Sequence, residues 1–378
     1  MKHNWEYKRL GDICTVNFGK RIVAKDTTPG PYKVYGGGGA TFTTLNFNRE
    51  NCTIVSRFAM SSNCVRFVKG KFFLNDSGLT IETKIDYLTQ GFIDKFLWVN
   101  QPLIFGLGRG MAQKNLNVKA LLEINVPVPP MEVQKQIVAE LDKINETIED
   151  CRELLRNLDA LAQSLFFNYF GDPVSNPKKW PVKRLKALTS LITNGTTPKG
   201  GQAVYVDRGI TFLRSQNVWR DRLVMDDVAY IDEETNATMK GSMLHHNDIL
   251  ITKTGRINTE NSSLGRSALF TGEDNTANIN GHVYLVRLNG TLNPRFVLTI
   301  LLTESYRGLI RRVCVGAIDK RQLNLSHIEQ FPIILPPLEL QEKFSARVEQ
   351  INEQKKIVEN TIAELQTLLD SRMDYWFN

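Results

Sequence analysis

One stretch of this chain is written twice. Leu116-Asn117-Val118 through Pro129-Pro130-Met131-Glu132-Val133-Gln134 returns as Leu323-Asn324-Leu325 through Pro336-Pro337-Leu338-Glu339-Leu340-Gln341, at a constant offset of 207 residues. Each copy opens a segment free of Pro and Gly. Each segment closes on an aromatic cluster, Phe166-Phe167-Asn168-Tyr169-Phe170 and Met373-Asp374-Tyr375-Trp376-Phe377. A shorter echo, at offset 175, links Trp5-Glu6-Tyr7-Lys8-Arg9-Leu10 to Trp180-Pro181-Val182-Lys183-Arg184-Leu185. A unit present twice builds the same substructure at two places. The stretches between the copies do not repeat, and the second is longer by 32 residues. The repeat is circular in order: helix, aromatic end, Trp-x-x-Lys-Arg-Leu, body, helix.

The Pro-free segments read as long helices. In the first, Ile137, Ile144, Cys151, Leu158 and Leu165 recur every seven residues, and Leu141, Ile148, Leu155 and Ala162 lie four further on. In the second the corresponding series are Phe344, Ile351, Val358, Leu365 and Val348, Lys355, Ile362, Leu369. Such a seam is the signature of helix pairing, and the Pro-Pro pairs suit helix starts. Helices over 131–170 and 338–378 follow, each roughly 50 Å or more at 1.5 Å per residue. An apolar seam needs an apolar partner, and the other copy is at hand. An antiparallel pair is therefore expected, with Ile137, Leu141, Ile144, Ile148, Leu155, Leu158, Phe344, Val348, Ile351, Val358, Ile362 and Leu365 as pairing residues. Lys355 interrupts the seam, either by reaching past it to solvent or as a polar device that fixes register.

The segments 1–130 and 171–337 look different. Short β-branched and aromatic runs, such as 52–56, 209–213, 248–252 and 282–286, alternate with Gly, Asn and Thr and read as strands. Short helices are expected over 94–99 and 294–310. The fold class is α+β: two mixed α/β bodies separated by two long helices in an antiparallel coiled coil, with a circular pseudo-two-fold repeat. At 378 residues each body can bury its own core. No apolar run approaches the ~18 residues of a membrane span. The charged start Met1-Lys2-His3-Asn4-Trp5-Glu6 does not read as a signal peptide. Five scattered cysteines without a Cys-x-x-Cys pair read as reduced thiols of a cytoplasmic protein.

Charge is unevenly spread. Residues 131–165 hold 4 Lys+Arg against 8 Asp+Glu, and residues 338–374 hold 5 against 8. Residues 1–130 hold 17 basic against 9 acidic side chains, and the whole chain is +7. Basic bodies and acidic helices fit a polyanion binder whose spacer avoids the polyanion. Catalytic signatures are missing. There is no Asn/Asp-Pro-Pro-aromatic tetrad of an amino-methyltransferase, no Gly-x-x-x-x-Gly-Lys-Ser/Thr loop, and no nucleophile with a base. His3, His245, His246, His282 and His327 lack metal-ligand spacing. Gly106-x-Gly108-x-Gly110 reads as a flexible turn, and Asp232-Glu233-Glu234 as a helix start or solvated turn. No catalytic residue, metal or cofactor is expected in this chain.

Basic and amide side chains in polar loops are the candidate nucleic-acid contacts. In the first body these are Lys20, Arg21, Arg57 and Asn63, with Tyr35 leading into the four glycines 36–39. In the second they are Lys199, Arg214, Gln216, Asn217, Lys253, Arg256 and Arg266. Arg suits guanine and Asn or Gln suits adenine in the major groove, while phosphate contacts draw on the same side chains.

The duplicated Lys114-Asn115-Leu116-Asn117 … Pro129-Pro130-Met131-Glu132-Val133-Gln134 and Gln322-Leu323-Asn324-Leu325 … Pro336-Pro337-Leu338-Glu339-Leu340-Gln341 resemble the specificity subunits of type I restriction–modification systems. Asn247-Asp248-Ile249-Leu250-Ile251-Thr252 resembles that family's Gly-Asp-Ile-Leu strand, with Asn247 in place of Gly. Val55-Ser56-Arg57 resembles its Gly-Arg turn, with Ser56 in place of Gly. The resemblance implies two target-recognition domains, each reading one half of a split, asymmetric site in double-stranded DNA. It implies helices that set the unread spacer and dock two modification (methyltransferase) subunits, which bind S-adenosylmethionine and methylate adenine. Restriction and motor subunits can join such a complex. A structural or regulatory coiled-coil protein with two ligand-binding domains and no DNA specificity is the other reading of the same residues.

Overall fold

A computed structural model describes residues 4–111, 113–257, 259, 261–317 and 319–377; Met1, Lys2 and His3 lie outside the described residues. The chain forms two compact units, Met1–Glu153 with Val358–Asn378, and Leu154–Ile357. The two long helices are Met131–Phe170 and Leu338–Phe377. Each begins in one unit and ends in the other.

The first unit is built on a six-stranded sheet in the order Cys14–Phe18, Gly78–Thr83, Arg49–Ser56, Val65–Leu74, Tyr32–Gly36, Gly39–Thr44. All neighbours are antiparallel except the Val65–Leu74 and Tyr32–Gly36 pair. Helix Gln90–Val99, capped by Thr89, packs Phe92, Ile93, Phe96 and Leu97 into the main core with Leu10, Val55, Leu79 and Val126. The second unit has two four-stranded sheets. One runs Thr189–Asn194, Val283–Leu288, Ile249–Thr252, Ser267–Leu269, and the other Tyr205–Val206, Ala229–Ile231, Ile210–Leu213, Ala277–Ile279. The expected helix over 294–310 is two helices, Pro294–Leu302 and Glu304–Val313. The break falls at Thr303, whose side chain accepts the Tyr306 N–H and so starts a new helix.

The repeated residues are a frame. The Trp-x-x-Lys-Arg-Leu echo becomes a strand that pairs antiparallel with the residues before Pro-Pro: Glu6–Arg9 with Asn125–Val128, and Val182–Arg184 with Pro332–Ile334. Asn117 and Asn324 each cap a short helix, Val118–Leu122 and Leu325–Glu329. The Gln that closes each Pro-Pro-x-Glu-x-Gln copy is buried. Gln134 donates to the Pro129 carbonyl at 2.8 Å and the Tyr87 carbonyl at 2.9 Å, and accepts the Thr89 N–H at 2.8 Å. Gln341 donates to the Pro336 carbonyl at 2.8 Å and accepts the Asn293 N–H at 3.0 Å. Thr89 and Asn293 are the caps of Gln90–Val99 and Pro294–Leu302. Each Gln therefore clasps the start of a long helix to the start of a body helix. Gln134→Leu keeps the volume but strands one buried and two partly buried backbone groups, each worth about 1–3 kcal/mol when unpaired and buried. A loss of about 2–4 kcal/mol in urea unfolding is expected; a change under 1 kcal/mol would show that the clasp is idle.

The helices run antiparallel in both units. In the first, Glu140 near the start of one helix meets Arg372 and Trp376 near the end of the other, with Arg372 Nη2 and Trp376 Nε1 at 3.1 and 3.0 Å from Glu140 Oε2. Hydrogen bonding by Arg372 holds the Glu140 carboxyl below the usual range. In the second, Phe166 lies 5.6 Å from Phe344. Lys355 reaches Asp159 of the other helix at 2.6 Å, so its head leaves the seam and makes an interhelical ion pair. The expected pairing needs one correction. Ile137, Leu141, Ile144 and Ile148 share one cluster with body residues Leu10, Phe92 and Leu97 as well as with Leu369 and Trp376, and Ile362 and Leu365 pack against that cluster. Phe344 and Val348 likewise join Phe296 and Tyr306 of the second body along with Phe166 and Phe170. The seam faces the bodies wherever they offer an apolar surface. Ile351 is buried, while Leu155, Leu158 and Val358 are only half-buried.

The aromatic ends dock on equivalent places. Phe170 lies 4.7 Å from Phe296, and Phe377 lies 5.5 Å from Phe92. Trp180 donates its indole N–H to the Phe170 carbonyl at 2.9 Å, and Trp5 stacks on Trp376 at 6.3 Å. Each helix thus ends on the body that precedes the other copy, which gives the circular repeat its physical form. All five cysteines are free thiols.

Candidate DNA interface

In the first unit the sheet gathers the candidate residues at one edge. The strands ending at Phe18, Gly36, Ser56 and Leu74 and the strand beginning at Gly78 place their loops together. Ser56 Oγ donates to the Gly37 carbonyl at 2.7 Å, and the Arg57 N–H donates to the Ser77 carbonyl at 2.8 Å. The Lys20 N–H donates to the Leu74 carbonyl at 3.0 Å, and Asn75 Nδ2 to the Ile22 carbonyl at 3.1 Å, which fixes the segment holding Arg21. Lys20, Arg21 and Asn63 are exposed. The Arg57 guanidinium sits 4.8 and 4.6 Å from the ring centroids of Phe18 and Phe58, a geometry that orients a cation while leaving it charged. Arg66 ties the cluster, donating to the carbonyls of Gly37 at 3.1 Å and Asn63 at 2.8 Å. Tyr35 departs from the expected role. Strand alternation turns its ring onto Phe72 at 5.3 Å, in a small core with Ile54, Val68 and Leu74.

In the second unit a loop between Leu213 and Ala229 carries three of the candidates, Arg214, Gln216 and Asn217. Asp227 holds two candidates at once: Arg214 Nη2 at 3.0 Å from one oxygen and Gln216 Nε2 at 2.6 Å from the other. Those bonds, Arg214 first, lower the Asp227 carboxyl from its ordinary value. Two candidates are structural instead. Asn217 is 1% exposed, and its amide is consumed by the carbonyls of Val224 and Asp227 and the Arg214 N–H; a turn this tight needs an internal donor and acceptor. Arg266 is 8% exposed, lies 3.9 Å over the Trp219 ring, and donates to the carbonyls of Asn261 and Ser262. Lys199 and Arg256 are exposed. Lys253 is half-buried, its ammonium 5.7 Å from the Tyr284 centroid.

Sequence names Arg266 but not Arg220, Arg307 and Arg311, which join it in one positive field. Burial, then Arg220, pulls both Arg266 and Arg307 below their ordinary values. Glu304, 2.8 Å from Arg311, offsets part of it. The run Glu304–Val313, with three basic residues against one acid, carries the signal: Arg307 and Arg311 lie four apart, on one face of the helix. Arg66 and Asp227 gave no comparable sign. Nothing in the strand pattern marks a cation turned back on a glycine hairpin, or an acid turned onto two loop neighbours.

The family model for the type I restriction modification DNA specificity domain matches residues 2–157 and 177–367. The chain belongs to this family. The MjaVIII specificity subunit of a type I restriction enzyme of Methanocaldococcus jannaschii is 19% identical over 383 residues, covering 92% of this chain and 86% of that one. A putative MjaX specificity subunit of the same organism is 22% identical over 170 residues, and the match spans 45% of this chain but only 38% of that relative's length. The crystal structure of a type I restriction–modification S subunit from M. genitalium superposes with a TM-score of 0.62 at 17% identity, over 99% of this chain and 96% of that one. It has the same fold.

Proposed function

We propose that this chain is the DNA-recognition subunit of a type I restriction–modification complex. Each body reads one half of a bipartite, asymmetric duplex site. The long helices set the unread gap and dock two methyltransferase subunits. Those subunits carry S-adenosylmethionine and methylate adenine, and restriction or motor subunits can join the assembly. The chain's own part is to bind and position, with no catalytic step, and it works on DNA in the cytoplasm. No helix among the described residues is long and apolar enough to cross a membrane.

One observation carries the reading. The two frames correspond element for element, down to the buried Gln134 and Gln341, while the loop clusters they hold differ. A body that differs where its twin repeats is suited to read a different half-site. In the first body Lys20, Arg21, Arg57 and Asn63 would approach DNA, and in the second Lys199, Arg214, Gln216, Lys253 and Arg256. The acidic helices would stand off from phosphates by simple repulsion.

The test is selection from a random duplex pool by the chain purified with its methyltransferase subunit. Recovery of a two-part motif with a fixed gap is expected. Binding that is absent or indifferent to sequence would overturn the proposal and favour a coiled-coil protein with two other ligands.

A further inference from the structure

A small hairpin leads into the Leu-Asn motif in both bodies. In the first, Gly108–Arg109 pairs antiparallel with Asn115–Leu116, and in the second, Val315–Ala317 pairs antiparallel with Lys320–Gln322. Each carries a left-handed glycine pressed against the opposite strand, just after the first strand in one and within it in the other. A Cβ on Gly110, at φ 115°, would lie 2.2 Å from the Gln113 carbonyl oxygen, and one on Gly316, at φ 109°, would lie 2.6 Å from that of Lys320. The flexible turn expected from Gly106-x-Gly108-x-Gly110 is thus a defined device. Only glycine reaches that conformation without strain and leaves room for the carbonyl.

Each hairpin is stitched to the same place. The Leu116 N–H donates to the Arg57 carbonyl at 2.8 Å, and the Leu323 N–H donates to the Lys253 carbonyl at 2.9 Å. Arg57 and Lys253 each follow directly on an interior strand of their sheet, Arg49–Ser56 and Ile249–Thr252. Each also faces an aromatic ring. Buried Leu116 and Leu323 anchor the hairpin to the two cores. The hairpin therefore sits beside the loops that differ between the bodies, yet a hairpin at this place, stitched to the same strand end, recurs in both.

An element common to both readers cannot carry the difference between two half-sites. What it carries is cationic charge. Residues 108–116 hold Arg109 and Lys114 and no acid, and residues 315–323 hold Lys320 and Arg321 against Asp319. Arg109 and Lys320 are exposed, and the Lys114 ammonium lies 4.2 Å from the Phe105 centroid. In the second body the hairpin forms one wall of an open polar cleft of about 370 Å³, lined by Thr254, Arg256, Asn261, Ser263, Asp319 and Lys320 among others. Two cations and one acid line it among hydroxyl and amide groups, a net cationic lining that suits a phosphate diester.

We infer that the repeated hairpin is a backbone clamp: Arg109 in the first body and Lys320 with Arg256 in the second grip DNA phosphates beside each half-site, independent of base sequence. This rests on the DNA-recognition role proposed above. Phosphate contacts fix register without reading bases, which is the task a shared element can perform for two unlike readers.

The experiment uses the full complex with methyltransferase subunits and the variants R109A, K320A and the double. Binding to cognate and unrelated duplexes is measured from about 50 to 200 mM salt. Each lost phosphate contact lowers the slope of log K against log salt by about 0.9, which corresponds to roughly fivefold weaker binding near 0.15 M salt. Equal losses on both duplexes and an unchanged selected motif are expected. An unchanged salt slope would overturn the clamp. So would altered base preference at one half-site, which would make the hairpin a reader, or loss of co-purifying methyltransferase, which would make it a docking surface. If the wild-type complex selects no two-part motif, the recognition role fails, while the salt slopes on any duplex still decide the clamp.

Discussion

Asp248→Ala is expected to destabilise the second unit by about 3 kcal/mol. The carboxylate is 1% exposed. It receives Arg287 Nε at 2.8 Å and Nη2 at 2.7 Å, and the His245 N–H at 2.7 Å. Breaking one side of a buried pair costs about 3–5 kcal/mol, because the remaining charge and donors stay desolvated. The Arg287 side chain is 24% exposed and keeps a bond to the Met243 carbonyl, so partial hydration places the cost at the lower end. Asp248→Asn retains an acceptor for His245 and should lose about half as much. Urea unfolding gives the magnitude, and hydrogen exchange across residues 249–252 locates it. A loss below 1 kcal/mol for the alanine variant would mean that the pair contributes no net stability.

This pair also shows where the sequence was legible. The Asn-Asp-Ile-Leu run was read as a strand resembling a Gly-Asp-Ile-Leu motif. The structure supplies the reason for each position. Asn247 has φ 69°, a left-handed conformation that Gly adopts freely and Asn better than most. Asp248 holds Arg287, and Ile249, Leu250 and Ile251 fill two cores on opposite faces of the strand. The helices, their antiparallel sense and the frame could be read because periodicity and repetition are local patterns. The part played by Gln134 was invisible, because its partners Tyr87 and Thr89 lie more than forty residues upstream. Among the contact candidates, sequence placed Lys20, Arg21, Arg57 and Asn63 in loops that the sheet does bring together. It could not separate Arg214, held on an exposed acid, from Arg266, spent on backbone carbonyls beneath Trp219. Both are arginines in polar loops with little exposure, and only their partners distinguish them.

Removal of one heptad from each long helix is expected to shorten the recognised gap by about three base pairs while leaving both half-sites unchanged. Seven residues span about 10 Å of helix, and successive bases on one strand are about 3.4 Å apart. Seven residues also return a seam nearly to its starting face. Deleting 151–157 and 355–361 together therefore keeps Glu140 facing Arg372 and Phe166 facing Phe344, the contacts that set the antiparallel register in the two units. The deleted stretches contain half-buried seam residues such as Leu155 and Val358, whereas the core-filling Ile137, Leu141, Phe344 and Val348 remain. Deletion from one helix alone cannot satisfy both sets of contacts and should expose apolar seam and collapse the yield of folded protein. The double deletion is the informative variant, because its docking ends are intact. Selection from a random duplex pool, with the methyltransferase subunits present, reads the gap directly. A folded double-deletion complex that selects the original gap would remove the helices from the spacing role, since a rigid spacer cannot lose two turns and still hold its readers the same distance apart.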